Sequence, residues 1–126
     1  MHVSSETQTI VVVEDDASMS RALKLMLQAG GYEVVTFASG EAALEADVAA
    51  TADCLVLDIH LPGMSGFELY QKLAHSWKEL PAIFITAHDA PAAREEAERL
   101  GGKSYFPKPF SGRVLLDAVT QALRSD

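Results

Sequence analysis

Five short runs rich in β-branched and aromatic residues, IVVV (10–13), YEVVTF (32–37), CLVLD (54–58), AIFIT (82–86) and SYF (104–106), alternate strictly with segments of helical period. The runs mostly lack polar alternation, as strands buried on both faces do, and such strands belong to parallel sheets covered by helices. Between the first two runs, Met19, Ala22, Leu23, Met26 and Leu27 recur at the spacing of one helix face, and Gly30-Gly31 closes that segment. Ser65-Gly66-Phe67-Glu68 reads as a capping box opening a third helix, with Leu69 and Leu73 turned inward. Ser39 and Ser111 are placed to cap the second and fifth helices. Asp89, with Pro91 close behind, marks the start of the fourth, whose Ala93, Ala97 and Leu100 share a face. The pattern is (βα)5. Right-handed crossovers then predict an α/β domain built on a doubly wound, five-stranded parallel sheet in the order 2-1-3-4-5. Residues 1–8 read as a flexible N-terminal tail and 9–126 as one domain, without repeats or linkers.

Composition narrows the class. A chain of 126 residues that is 48% apolar suits a single core. Its 10 Lys and Arg against 18 Asp and Glu give a net charge of −8, which opposes direct binding to nucleic acid or to an anionic membrane surface. Cys54, the only cysteine, lies inside an apolar run and reads as a buried thiol in a reducing compartment. No run approaches the roughly 18 apolar residues of a membrane span, and the opening MHVSSETQ has no signal-type apolar core, so a cytoplasmic protein is expected.

In an open α/β sheet, ligands bind beyond the carboxyl ends of the strands at the topological switch point, here between the first and third strands. The strand ends therefore carry the functional argument. The first strand runs into Glu14-Asp15, the third ends in Asp58, the fourth in Thr86, and the fifth leads to Lys108-Pro109. Taken singly, each has an ordinary reading: acids at a helix start, a turn residue, a β-branched strand residue, a solvated lysine. Helix-start chemistry accounts well for Asp16. It does not account for acids at the ends of two strands with a lysine at a third. Three crowded carboxylates repel one another, so a hard divalent cation is expected among them. Magnesium suits oxygen donors and pairs naturally with phosphate, which makes Glu14 and Asp15 candidate metal ligands beside a phosphoryl acceptor.

With those residues in place, the sequence resembles the receiver domain of two-component response regulators, of the chemotaxis-regulator-like, flavodoxin-fold kind, over residues 9–124. VVVEDDASMSRAL resembles the family's first strand and acidic pair, LVLDIHLPGMSG its phosphorylation segment, FITAHD its Thr or Ser segment, and YFPKPF its lysine-proline segment. The resemblance implies that Asp58 is the phosphoacceptor, with Lys108 and Thr86 contacting the phosphoryl group. Thr86 and Tyr105 would be the switch pair. Mg2+, with Mn2+ able to substitute, would be held by Asp15 directly, Glu14 largely through water, Asp58, and the backbone carbonyl of His60. It further implies a cis Lys108-Pro109 bond, a histidine kinase or histidine phosphotransfer protein as donor, and a homodimer or partner surface formed by helix four, strand five and helix five. That surface carries Arg94, Glu95, Glu98, Arg99, Arg113 and the apolar Val114. His60 and His88, each two residues past a site residue, are expected to overhang the path of attacking water. Glu at position 14 departs from the commoner Asp, and Gly101-Gly102-Lys103-Ser104 implies a looser turn than usual.

Such a domain is a phosphoacceptor that assists its own phosphorylation and dephosphorylation rather than an enzyme acting on a separate substrate. The alternative is a magnesium-dependent phosphatase of the aspartate-nucleophile type. That class carries D-x-D after its first strand, whereas Asp58-Ile59-His60 follows the third and lacks the second acid. A flavodoxin-like nucleotide module would need a hydroxyl- and glycine-rich loop where Glu14-Asp15-Asp16 stands. Whether the receiver stands alone or belongs to a longer regulator is left open by the sequence.

Overall fold

The strands expected from the apolar runs form one parallel sheet in a computed structural model that describes residues 7–74 and 79–124. In chain order the elements are β1 (Thr9–Val13), α1 (Ala17–Ala29), β2 (Glu33–Phe37), α2 (Gly40–Glu45), a 3-10 turn (Val48–Ala50), β3 (Cys54–Asp58), α3 (Gly66–Leu73), β4 (Ala82–Thr86), α4 (Pro91–Arg99), β5 (Ser104–Pro107) and α5 (Gly112–Arg124). The sheet order is β2-β1-β3-β4-β5, as the alternation predicts. Of the tail expected over residues 1–8, residues 1–6 lie outside the described residues, and Gln8 already accepts the backbone N–H of Glu33. No helix among the described residues is long and apolar enough to cross a membrane.

Successive strand residues point to opposite faces, and both faces are covered. Val11, Val13, Leu55, Leu57 and Phe84 pack with Ala43, Leu69, Leu73 and Ala97 from α2, α3 and α4. Ile10, Val12, Cys54, Val56, Ile83 and Ile85 pack on the other side with Leu23 and Leu27 of α1 and Leu115 and Val119 of α5. Two cores back to back explain why the runs show no polar alternation. Burial pushes the Cys54 thiol up to about 12, so it stays protonated and serves as a core side chain.

Most of the punctuation follows the sequence. Ser65 and Glu68 form a complete capping box, Ser39 accepts the N–H of Ala42, and Ser111 accepts those of Arg113 and Val114. Four local readings are corrected. Ala22 is exposed, so the inward face of α1 consists of the buried Leu23 and Leu27 with the partly buried Met19 and Met26. Tyr32 precedes β2 because its N–H closes α1 on Leu27 and its hydroxyl meets Thr120 at 2.9 Å. Asp89 does not cap α4; Ala90 occupies that position without a side-chain bond, with Pro91 at the helix start. The Gly101-Gly102 turn is not loose. A Cβ at residue 102 would sit 2.7 Å from the ring of Phe84, which is itself held edge-on by Phe67 and Tyr70 at centroid distances of 5.0 and 5.7 Å.

Gly102 thus makes room for an aromatic residue in the middle of the sheet. Gly102→Ala is expected to cost about 1–3 kcal/mol of stability by overpacking, measured by urea unfolding. In a Phe84→Leu background the cost should shrink; an equal loss in both backgrounds would mean that the ring is not what the glycine accommodates.

Candidate functional site

Parallel register delivers the predicted residues to one edge of the sheet. Glu14 follows β1 and is fixed by its N–H bond to Phe37 of β2 at 3.0 Å. Its side chain is 1% exposed and accepts the Lys108 ammonium at 2.7 Å and the backbone N–H of Asp16 at 3.0 Å. Asp16 itself caps α1 by accepting the N–H of Met19, which is the helix-start role its position implies. Asp58, at the end of β3, has a side chain 6% exposed. One of its oxygens accepts the N–H of His60 at 3.0 Å, and the other lies 3.3 Å from Lys108. The first turn of α3 presses against this corner: the N–H of Gly66 donates to Ile59, and any Cβ there would overlap the carbonyl of Asp58. Only glycine permits that approach.

Glu14, Asp15 and Asp58 each bring a carboxylate oxygen within 4.8 Å of the others. Asp15 is exposed, whereas its two partners are buried. Burial pushes the Glu14 carboxyl above its ordinary value; the bonds from Lys108 and Asp16 offset this only in part, and the charge of Asp58 adds to it. Burial pulls the Lys108 ammonium down, but its bond to Glu14 and the charges of Asp58 and Glu14 outweigh that and hold it above its ordinary value. Among the described residues, Lys108 is ion-paired with two of the three acids, Glu14 and Asp58, and Asp15 has no ion pair, so the cluster keeps an excess of negative charge. Hard oxygen donors in such excess fit a magnesium-type ion, and the partly buried ammonium alone does not neutralise them. A cleft of about 420 Å³ beside α1 is lined by two of the three acids, Glu14 and Asp15, with Ser20, Arg21 and Lys24 among others; Asp58 is not part of its lining. Another, of about 380 Å³, is lined by Gln8, Asp53, Tyr70 and Lys103 at the opposite ends of the strands and contains none of the site residues.

Thr86 is fully buried, and its hydroxyl is turned to its own loop, accepting the N–H of His88 at 2.9 Å and reaching the His88 carbonyl at 3.3 Å. Its carbonyl accepts the N–H of Lys108 at 2.7 Å, which pins the lysine backbone to β4. The Lys108-Pro109 bond is cis, as the resemblance implies. The rings of His60 and His88 meet at 5.1 Å, nearly perpendicular, beside Asp58 and Thr86. Tyr105 on β5 is half-buried; its hydroxyl donates to Asp89 at 3.0 Å, and the Arg94 guanidinium lies 4.5 Å from its ring centroid. Sequence reasoning missed this use of Asp89 and Arg94. An aspartate just before a proline signals a helix start, and nothing local signals a bond to a residue of the next strand.

Comparison with known proteins agrees with this geometry. The family model described as response regulator receiver domain matches residues 10–120. Nodulation protein W of Bradyrhizobium diazoefficiens is 40% identical over 99% of the chain, and the match spans 56% of that protein. The chain likewise spans 53% of the transcriptional regulatory protein TdiR of Thauera aromatica, about half the length of these curated relatives. Among solved structures, a CheY-like response regulator receiver domain protein from Methanospirillum hungatei superposes with a TM-score of 0.87 at 27% identity, covering 94% of this chain and 95% of that one.

The electrostatics carry a pH signature. Glu14 ionises more readily in the unfolded chain than in the folded one, so over that window the unfolded chain binds fewer protons and metal-free stability falls as pH rises from 4.5 through the higher folded value. In chelating buffer, wild type should lose stability relative to Glu14→Gln as pH rises through that range. Parallel curves would show that Glu14 carries no such strain.

Proposed function

Because the chain belongs to the response regulator receiver domain family, we propose that it accepts a phosphoryl group on Asp58 from a histidine kinase or histidine phosphotransfer protein and converts that charge into a change of the surface formed by α4, β5 and α5. The observation that carries this reading is the position of Asp58: a buried carboxylate facing Lys108, steadied by the His60 N–H, and adjoining the acids of β1. In the transfer, a carboxylate oxygen of Asp58 attacks phosphorus, a P–O bond to Asp58 forms, and the bond to the donor's histidine nitrogen breaks, its electron pair staying with the imidazole. Glu14, Asp15, Asp58 and the His60 carbonyl would hold Mg2+, or Mn2+ in its place, which when bound supplies positive charge to the phosphoryl oxygens. Lys108 pairs with another phosphoryl oxygen as its bond to Asp58 is given up. The chain is an acceptor in this scheme and turns over no separate substrate.

The switch begins at Thr86. Its present bonds to the His88 backbone are neutral, worth roughly 0.5–1.5 kcal/mol each, whereas a bond to a charged phosphoryl oxygen is worth roughly 1.5–3 kcal/mol. Turning toward Asp58 is therefore favoured only once the phosphoryl group is there. The movement vacates space beside β5, and Tyr105 rotates inward. Arg94, Glu95, Glu98, Arg99 and Arg113 are all exposed on this face, and Val114 is 45% exposed, a mixed-charge surface suited to a reciprocal homodimer or to a partner protein. His60 and His88 stand over the acyl phosphate and govern the access of water to it.

Acetyl phosphate with magnesium should phosphorylate the wild-type chain, and omission of the metal should suppress the reaction. Asp58→Asn should abolish it. Intact-mass and peptide-level detection locate the group; label retained on another residue of the Asn variant would overturn the assignment.

A further inference from the structure

Two side chains outside the phosphoryl site, Asp89 and Arg94, converge on Tyr105. Its hydroxyl donates to Asp89 at 3.0 Å, a terminal nitrogen of Arg94 lies 3.4 Å from each oxygen of the same carboxylate, and the guanidinium covers the ring at 4.5 Å. Asp89 stands at the mouth of α4, where its carboxylate would ordinarily take up free helix N–H groups. It forgoes that role, and α4 starts at Ala90 without a side-chain cap. The carboxylate is committed to Tyr105 instead.

We propose that Asp89 and Arg94 are positioning residues that latch Tyr105 in its present half-buried orientation, the silent one, and so set how far the phosphorylation equilibrium must be pushed to switch the α4, β5 and α5 face. This rests on the reading of Asp58 as phosphoacceptor. The loop from Thr86 to Asp89 is the mechanical link. Thr86 holds the backbone of His88 at one end, and Asp89 holds Tyr105 at the other, only three residues along. When the Thr86 hydroxyl leaves His88 for a phosphoryl oxygen, the loop loses its hold at that end, and the place of Asp89 opposite Tyr105 is no longer fixed by it. Each contact is partly exposed and individually modest, but all three favour the same state. They need only hold the competent conformer to a few per cent to matter. A ligand for that conformer then binds more weakly by the same fraction, and loosening the latch restores the affinity.

Linkage supplies the test. Beryllofluoride with magnesium, titrated calorimetrically, reports the affinity of Asp58 for a phosphoryl mimic without any partner protein. Tyr105→Phe removes only the hydroxyl, and Asp89→Ala removes its acceptor while leaving the tyrosine intact; neither touches the phosphoryl site. Each is expected to bind beryllofluoride roughly threefold to thirtyfold more tightly than wild type, and the double variant no more tightly than the stronger single one, because both break the same bond. A merely structural contact would leave affinity unchanged or weaken it, and either result, or effects that multiply in the double variant, overturns the latch. A wild-type chain that binds no beryllofluoride overturns instead the acceptor reading on which the latch rests.

Discussion

The ammonium of Lys108, lying 2.7 Å from Glu14 and 3.3 Å from Asp58, is the interaction on which the site depends. It draws together residues that follow or end the first, third and fifth strands, and its side chain is only 16% exposed. Two buried carboxylates and an exposed third would otherwise repel across a few ångströms. The sheet makes this possible. Parallel pairing places every strand's carboxyl end at the same edge, and the 2-1-3-4-5 order leaves a gap beyond β1 and β3 where neighbouring connections diverge. The bond from the Lys108 N–H to the Thr86 carbonyl then fixes the base of the long side chain. Charge balance and sheet topology are in this sense one constraint. The fold brings the acids together, and one lysine makes their proximity tolerable without satisfying it.

That unsatisfied remainder connects structure to function. A site fully neutralised by its own side chains would gain little from a divalent cation; here, without that cation, the excess negative charge would repel an incoming phosphoryl group. A site with no cation at all would strain the fold. The bonding of Thr86 has a similar character, since its hydroxyl is fully engaged by its own loop yet weakly enough for a charged oxygen to win it. In the proposed switch, both sets of resting contacts hold the domain in one state and are exchanged for stronger ones.

Much of this was legible in the sequence because it is written in local signals. Unbroken apolar runs mark strands covered on both faces, Ser65 and Glu68 announce a capping box, and acids or a lysine stand directly at the strand ends. Other features needed tertiary contact to appear. Asp89 before Pro91 looks like a helix cap, and only the neighbouring strand reveals that its partner is Tyr105. Gly102 looks like slack in a turn until Phe84 is seen to fill the space a methyl group would take. Adjacent acids at 14 and 15 look equivalent, although one is buried against Lys108 and the other is exposed. Spacing along the chain carries no trace of such pairings, because the topology brings distant strand ends together.

The role of Lys108 as an incomplete counter-ion can be measured directly. Lys108→Met keeps much of the side chain's length and removes its charge, so the carboxylates should bind Mg2+ about threefold to thirtyfold more tightly than in wild type, while phosphorylation of Asp58 by acetyl phosphate slows sharply for want of the ammonium. Titration of magnesium into the folded variant reads the first effect. Tighter metal binding with impaired phosphoryl transfer is the predicted result; magnesium binding that weakens on loss of the ammonium would contradict the account.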